Sequence, residues 1–349
     1  MAYTTINKST NYFNTKLFVG SGSDNNAITG VGFQPDWIWF KNRSAANDHA
    51  LVDAVRGANK AISSNNNTAD ITLNAGQDFD SFNSDGFTVD TPSQLNSFNK
   101  SGDDIVTWNW KANGQGSSNT DGTINTTYTS ANTTAGFSIV KYTGNGTNNA
   151  TFGHGLGVAP KIMIGKCIGN TNNWQVTGNA GPLTENKYFS LDQTSPIGTS
   201  TNVSFDASAT TIKLQGGQGT NVSGQPHIAY CFAEKKGYSK FGSYVGNGNA
   251  DGSFIFTGFK PAFVLQKRTA NTSDWTLADN KRPGYNEINK RMVPNENAVE
   301  ATNNSVDFLS NGFKCRSSQS NANTSGDTYF YMAFGQSLVG TNNVPCTAG

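Results

Sequence analysis

The sequence predicts an all-β protein made of three tandem, homologous β-sandwich domains of jelly-roll type. Three observations predict it: short apolar runs closed by Gly/Asn turns, an internal repeat of about 100 residues, and near absence of helical periodicity.

The repeat is anchored on a shared phrase. GVGFQPDWIWFKNR begins at Gly30 and returns as GLGVAPKIMIGKC and FTGFKPAFVLQKR, with prolines at Pro35, Pro160 and Pro261. Six residues after each proline stands Lys41, Lys166 or Lys267, and eight further on His49, Trp174 or Trp275. The same registration aligns Phe87, Ile212 and Phe313, and an aromatic-rich strand near Trp110, Phe232 and Phe334. Repeats 1 and 3 also share Asp53 with Arg56 and Asp279 with Arg282, and the phrases FNSDGF and FLSNGF. Repeat 2 departs, with GNAG and DASATTI in those places. These offsets set an N-terminal arm at 1–13, repeats at 14–116, 136–236 and 240–339, a polar linker at 117–135, and a tail at 340–349. The linker carries at most one weak strand, at Ile124 to Thr129. The short second junction implies that repeats 2 and 3 touch.

Within a repeat, Trp37 to Phe40, Lys161 to Ile164 and Ala262 to Leu265 are nearly continuous apolar runs, as expected of strands covered on both faces. WQVTG and WTLAD open a second strand. SDGF and SNGF each place a turn before a strand, with Gly supplying a positive φ. Tyr329, Tyr331 and Phe334 mark the last strand. Ala50 to Lys60 is the one stretch that suggests a helical turn or two. A unit of this size is expected to enclose its own core.

Composition narrows the function. Charged residues are 14%, against roughly 25% in ordinary soluble proteins, and net charge is +1, so no field attracts nucleic acid or an acidic membrane. No run of 18 apolar residues suggests membrane insertion, and Met1 to Phe13 lacks the apolar stretch of a signal peptide. A role outside a cell would then imply release by lysis. Cys167, Cys231, Cys315 and Cys346 form no CxxC pair and are expected to be free thiols.

No catalytic residue, metal site or cofactor site emerges. His49, His154 and His227 occupy non-equivalent positions, and His49 replaces a tryptophan, which suggests packing. The acidic residues Asp78, Asp80, Asp85, Asp103 and Asp104 recur in no common position, so the carboxylate pair of a glycan-cleaving enzyme is not evident. The repeated lysine reads as a strand-end cation with a solvated head, or as the partner of Asp53 or Asp279. Were the chain adhesive, Tyr142, Tyr244 and Trp275 are the aromatics expected to stack on sugar faces. The arm, with Tyr3, Ile6, Tyr12 and Phe13, is expected to dock onto a neighbouring protein.

GVGFQPDWIWFKNRS with HALVDAVRG, AYCFAEKKGYSKFGSYVGNG and DFLSNGFKCRSS resemble a family of repeated domains in virion proteins of tailed, largely marine bacteriophages. The resemblance runs from Tyr12 to Val344. It implies an exposed virion structural protein, made in the bacterial host cytoplasm and carrying no transferable catalytic residues. It further implies a tail or tail-fibre component rather than a capsid decoration, head spike or tailspike depolymerase. Expected partners are other virion proteins, further copies of the chain, and a host-surface glycan.

Overall fold

The computed structural model describes residues 3–217, 219–341 and 345. It is all-β, with 43% of residues in strands and every strand ladder antiparallel. Its only helical element among the described residues is the short 3-10 turn Ser9–Asn11.

The three repeats build inner sheets of one strand order. In repeat 1 the order is Phe13–Val19, Asp104–Trp110, Trp37–Asn42, Ala50–Asp53. Repeat 3 matches it with Ser239–Val245, Thr328–Gln336, Lys260–Arg268 and Thr276–Asp279. Repeat 2 has the same four, Phe137–Thr143, Pro226–Phe232, Ile162–Cys167 and Gln175–Gly178, in a seven-stranded sheet. It adds Thr126–Asn132 at one edge and Lys187–Phe189 with Gly198–Thr199 at the other. Each proline is buried at or just before the entry of its strand, where a missing N–H breaks no ladder.

Successive strand residues face opposite sides, and this assigns the apolar runs. Ile38 and Phe40 point into a cluster within repeat 1 that includes Phe87, whose ring lies 5.1 Å from that of Phe40. Met163 and Val264 do the same in repeats 2 and 3, beside Ile212 and Phe313 respectively. Trp37 and Trp39, Ile162 and Ile164, Phe263 and Leu265 face the other way, into one cluster shared by all three repeats. All six tryptophans of the chain lie in it. Ring contacts link each pair of repeats: Trp37 to Tyr230 at 4.3 Å, Trp110 to Phe263 at 5.6 Å and Phe232 to Phe334 at 5.8 Å. Burying a side chain of this size contributes about 1.5–3 kcal/mol, so the shared core binds the repeats into one body. The expectation that each repeat encloses its own core thus describes only one face of each inner sheet.

Two local expectations need correction. The linker is folded: Thr126–Asn132 pairs with Phe137–Thr143, and Ile124 is buried against repeat 2. The weak strand expected at Ile124 to Thr129 is present but runs from Thr126 to Asn132; Thr and Tyr favour extended backbone without an apolar stripe, so patterning marked it only faintly. Ala50 to Lys60 is not helical. Ala50–Asp53 is a strand on Trp37 to Phe40, followed by a turn in which Asp53 Oδ1 accepts the Arg56 N–H at 2.8 Å. The SDGF glycine has the expected positive φ, +146° at Gly86, but Gly312 does not. What both need is room: a Cβ would stand 1.9 Å from Ile28 O at Gly86 and 2.1 Å from Ile255 O at Gly312.

Candidate functional site: three joints around the shared core

The repeated residues meet at three equivalent joints, which run in one cyclic sense. Lys41 Nζ in repeat 1 donates to Asn297 O in repeat 3 at 3.1 Å. Lys166 in repeat 2 donates to Asn67 O in repeat 1 at 3.2 Å, and Lys267 in repeat 3 to Thr194 O in repeat 2 at 2.8 Å. Each ammonium also bonds a carbonyl of its own repeat. The heads are neither in water nor paired with Asp53 or Asp279, which corrects both readings of the lysine. Burial lowers each from 10.5 to about 8, so the ammonium persists at neutral pH and its charge rests on carbonyl oxygens.

The tryptophan position follows the same cycle. Trp174 Nε1 donates to Ser63 O and Trp275 Nε1 to Ser190 O, both at 2.9 Å. His49 does the corresponding task in repeat 1. Its Nδ1 accepts the Trp39 indole N–H at 2.8 Å, so Nε2 carries the hydrogen, which it directs to Val293 O at 3.0 Å. Complete burial holds this imidazole neutral, well below its ordinary range.

At two joints a carboxylate completes the set. Arg56 Nε pairs with Asp53, and Arg282 Nε with Asp279, both at 2.6 Å and fully buried. Tyr230 of repeat 2 donates its hydroxyl to Asp53 at 2.8 Å, and Trp108 of repeat 1 its indole N–H to Asp279 at 3.0 Å. The third joint has neither part: Gly178 stands in the Asp position, and Met332 occupies the register of Trp108 and Tyr230.

A family model matches residues 8–337, nearly the whole chain and all three joints. The chain belongs to the family described as a domain of unknown function (DUF7483). No curated protein and no solved structure matches it. The DUF7483 unit therefore contains the complete cycle of joints rather than a single repeat.

The DUF7483 structure places none of the three proposed sugar-stacking aromatics at the surface. Tyr142 and Tyr244 are buried, stacked on His227 at 5.1 Å and on Tyr329 at 5.1 Å, and their hydroxyls donate to Thr220 O and Ala322 O. Trp275 belongs to a joint. In sequence an aromatic on a strand looks the same whether it faces core or water; here each polar tip is held by a backbone carbonyl, so burial leaves none unpaired. Desolvation lowers the neighbouring His227 to about 4.

The arm also departs from expectation. Ile6 is buried in the shared core, Tyr3 donates to Gly258 O at 2.8 Å, and Ser9 N–H bonds Gln336 Oε1 at 2.5 Å. It docks onto repeat 3 of its own chain and closes the seam between first and last repeats. Of the 340–349 tail only residues 340, 341 and 345 are described; Cys346 lies outside the described residues, and Cys167, Cys231 and Cys315 are buried free thiols.

Sequence reading missed one repeated residue altogether. Asn99, Asn221 and Asn323, all fully buried, clamp the Gly-rich turn after each first strand. The side-chain oxygens accept the N–H of Ser21, Asn145 and Asn247, each at 2.9 Å, and the amide groups donate to Ser23 O, Thr147 O and Asn249 O. Their near-constant offset from the prolines was the available signal, hidden in an Asn-rich chain.

Among the described residues no group of three or more His, Cys, Asp or Glu is arranged to hold a metal ion, and no helix is long and apolar enough to cross a membrane.

Proposed function

We propose that the chain is a non-enzymatic structural protein of a tailed-phage particle, exposed on the tail and used in contact with the host surface. In this reading each repeat is a lectin-like β-sandwich, and three tandem sandwiches are locked into one rigid block. The cyclic set of joints carries the proposal. It commits the most expensive buried groups of the molecule, three lysines and two Asp–Arg pairs, to holding the repeats together rather than to chemistry. A block with internal three-fold pseudo-symmetry suits a load-bearing position in a symmetric particle, and the resemblance of its repeat phrases to those of phage virion proteins is in keeping with that reading. Its partners are then other virion proteins and further copies of the chain, with a host glycan at the outer surface and no membrane insertion, nucleic acid or cofactor. Synthesis would be in the host cytoplasm. Repeated weak surface contacts would gain through avidity.

Cryo-electron microscopy of intact particles tests this. The expected result is density for the three-repeat block on the tail, with outer sheets turned outward. Density spread over the capsid lattice would replace the tail role with head decoration, and absence from particles would remove the virion assignment.

A further inference from the structure

A surface cleft of about 250 Å³ opens where repeat 2 meets repeat 1. Asn67 reaches it from repeat 1; Asn172, Asn173, Gln175, Tyr188 and Ser190 come from repeat 2. We propose that this cleft is a binding site for one neutral sugar residue, held by amides and stacked on Tyr188. The proposal deepens the host-contact reading and rests on it only for the origin of the sugar.

The first observation is Gln175. The residue is only 8% exposed and lines the cleft, and its Oε1 has no partner among the described residues. A buried amide oxygen left unpaired is costly, and native chains rarely leave one so. A ligand hydroxyl entering the cleft would supply the missing donor. Gly219 keeps the approach open: a Cβ there would stand 2.2 Å from Gln175 Nε2.

Tyr188 is the second. Unlike Tyr142, Tyr230 and Tyr244, its hydroxyl has no partner among the described residues, and the residue is half-buried. Its ring is backed by Gly198, where a Cβ would lie 2.7 Å from ring carbons. The result is an apolar face with a polar tip, the form that meets the C–H face and the hydroxyl edge of a pyranose.

Charge decides the class of ligand. The lining residues offer amides and hydroxyls, which both donate and accept, and none carries a formal charge at neutral pH. Asn67 Nδ2 and Asn173 Oδ1 are 3.4 Å apart, a weak contact that a sugar hydroxyl would readily replace. Among the described residues no cation lines the cleft, and the nearby Lys166 ammonium is spent on backbone carbonyls, so acidic sugars are disfavoured.

The site is also confined to repeat 2. Gln175 corresponds to Ala50 in repeat 1 and to Thr276 in repeat 3, whose hydroxyl is bonded to Gln266 at 3.3 Å. Tyr188, on Lys187–Phe189, corresponds to Ala61 in repeat 1 and to Arg291 in repeat 3, where the bridges Leu51–Ile62 and Leu277–Met292 hold the equivalent hairpins.

Saturation-transfer NMR on the full chain tests the proposal, with galactose, glucose, mannose and N-acetylglucosamine set against glucuronic and sialic acids. Transfer to at least one neutral sugar and to neither acid is expected. Tyr188→Ala and the exposed Asn173→Ala should each weaken binding about tenfold or more, with melting temperature unchanged; Tyr188→Phe should retain most of it. No transfer to any neutral sugar overturns the site, as does transfer to the acids or binding undiminished by Tyr188→Ala. The isolated chain is used, so failure here leaves the particle assignment standing, and absence from particles leaves sugar binding standing.

Discussion

At two of the three joints the residue that ends the second strand is a buried aspartate, and at the third it is Gly178. Where Asp53 or Asp279 is present, Arg56 or Arg282 neutralises it and Tyr230 or Trp108 donates to it from the next repeat. Where Gly178 stands instead, the residue in the donor register is Met332, with no polar hydrogen to place. The buried ion pair thus occurs as a complete set or is absent as a set. This is what desolvation demands: a lone charge in a dry core costs several kcal/mol, while an apolar replacement of the whole group costs little.

The comparison breaks most sharply at Asp53. Asp53→Ala leaves the Arg56 guanidinium buried and unpaired, and should lower stability by about 3–5 kcal/mol in urea unfolding. Asp53→Ala with Arg56→Met and Tyr230→Phe copies the apolar character of the third joint, and should recover at least half of that loss. A triple variant no more stable than the single one would show that the set is not a unit.

His49→Phe keeps an aromatic ring in the joint but removes an acceptor from Trp39 Nε1 and a donor from Val293 O. Two buried groups lose their partners, so a loss of about 3 kcal/mol is expected in the same assay. A loss below about 0.5 kcal/mol would mean that ring volume alone matters at this position.

All three joints share the lysine, so pH acts on them together. In the unfolded chain these lysines hold their protons up to about pH 10.4, and in the fold only up to about 8. Between those values the unfolded chain binds more protons, so stability rises with pH; below about 8 the cost of burying the charge is fully present. The thiols of Cys231 and Cys315, raised to about 12 and about 11, act in the opposite sense once the unfolded thiols begin to ionise. The urea midpoint should therefore climb from pH 7 to a maximum near 9, a gain of roughly 2–3 kcal/mol. Lys41→Met should remove about half of the climb, because the thiols offset part of what the three lysines contribute together. A flat profile across this range would show that the carbonyls hold the lysines at their ordinary affinity.

The sequence shows which residues recur but not what they touch. Lys41, Lys166 and Lys267 stand out at a fixed offset, yet their acceptors in the neighbouring repeat are backbone carbonyls, which leave no mark in side-chain pattern. The apolar run at Trp37 to Phe40 correctly signals a strand covered on both faces. That the second face belongs to the other repeats is a matter of topology, invisible to a periodicity of two. Tyr142, Tyr244 and Trp275 fail as surface aromatics for the same reason, and Tyr188, the aromatic that does line a cleft, stands where the other repeats have Ala61 and Arg291, so no recurrence draws attention to it.

The Asn clamps provide the smallest effect and the cleanest contrast with the joints. Asn323→Ala frees the N–H of Asn247 and the carbonyl of Asn249, both near the surface and within reach of water, so the loss should be about 1 kcal/mol. Asn221→Ala should cost a similar amount and Asn99→Ala somewhat more, since it also frees the buried carbonyl of Asp90. Each clamp bonds only groups of its own repeat, Asn99 reaching Asn26 and Asp90 O as well as its turn, and the three share no partner. Independent sites add, so the triple variant should lose the sum of the singles within about 0.5 kcal/mol. Joint substitutions, which meet in one core, should not add. Clamps that proved strongly coupled would show that the outer turns transmit strain into the shared core, and that the separation between local turns and collective joints does not hold in this chain.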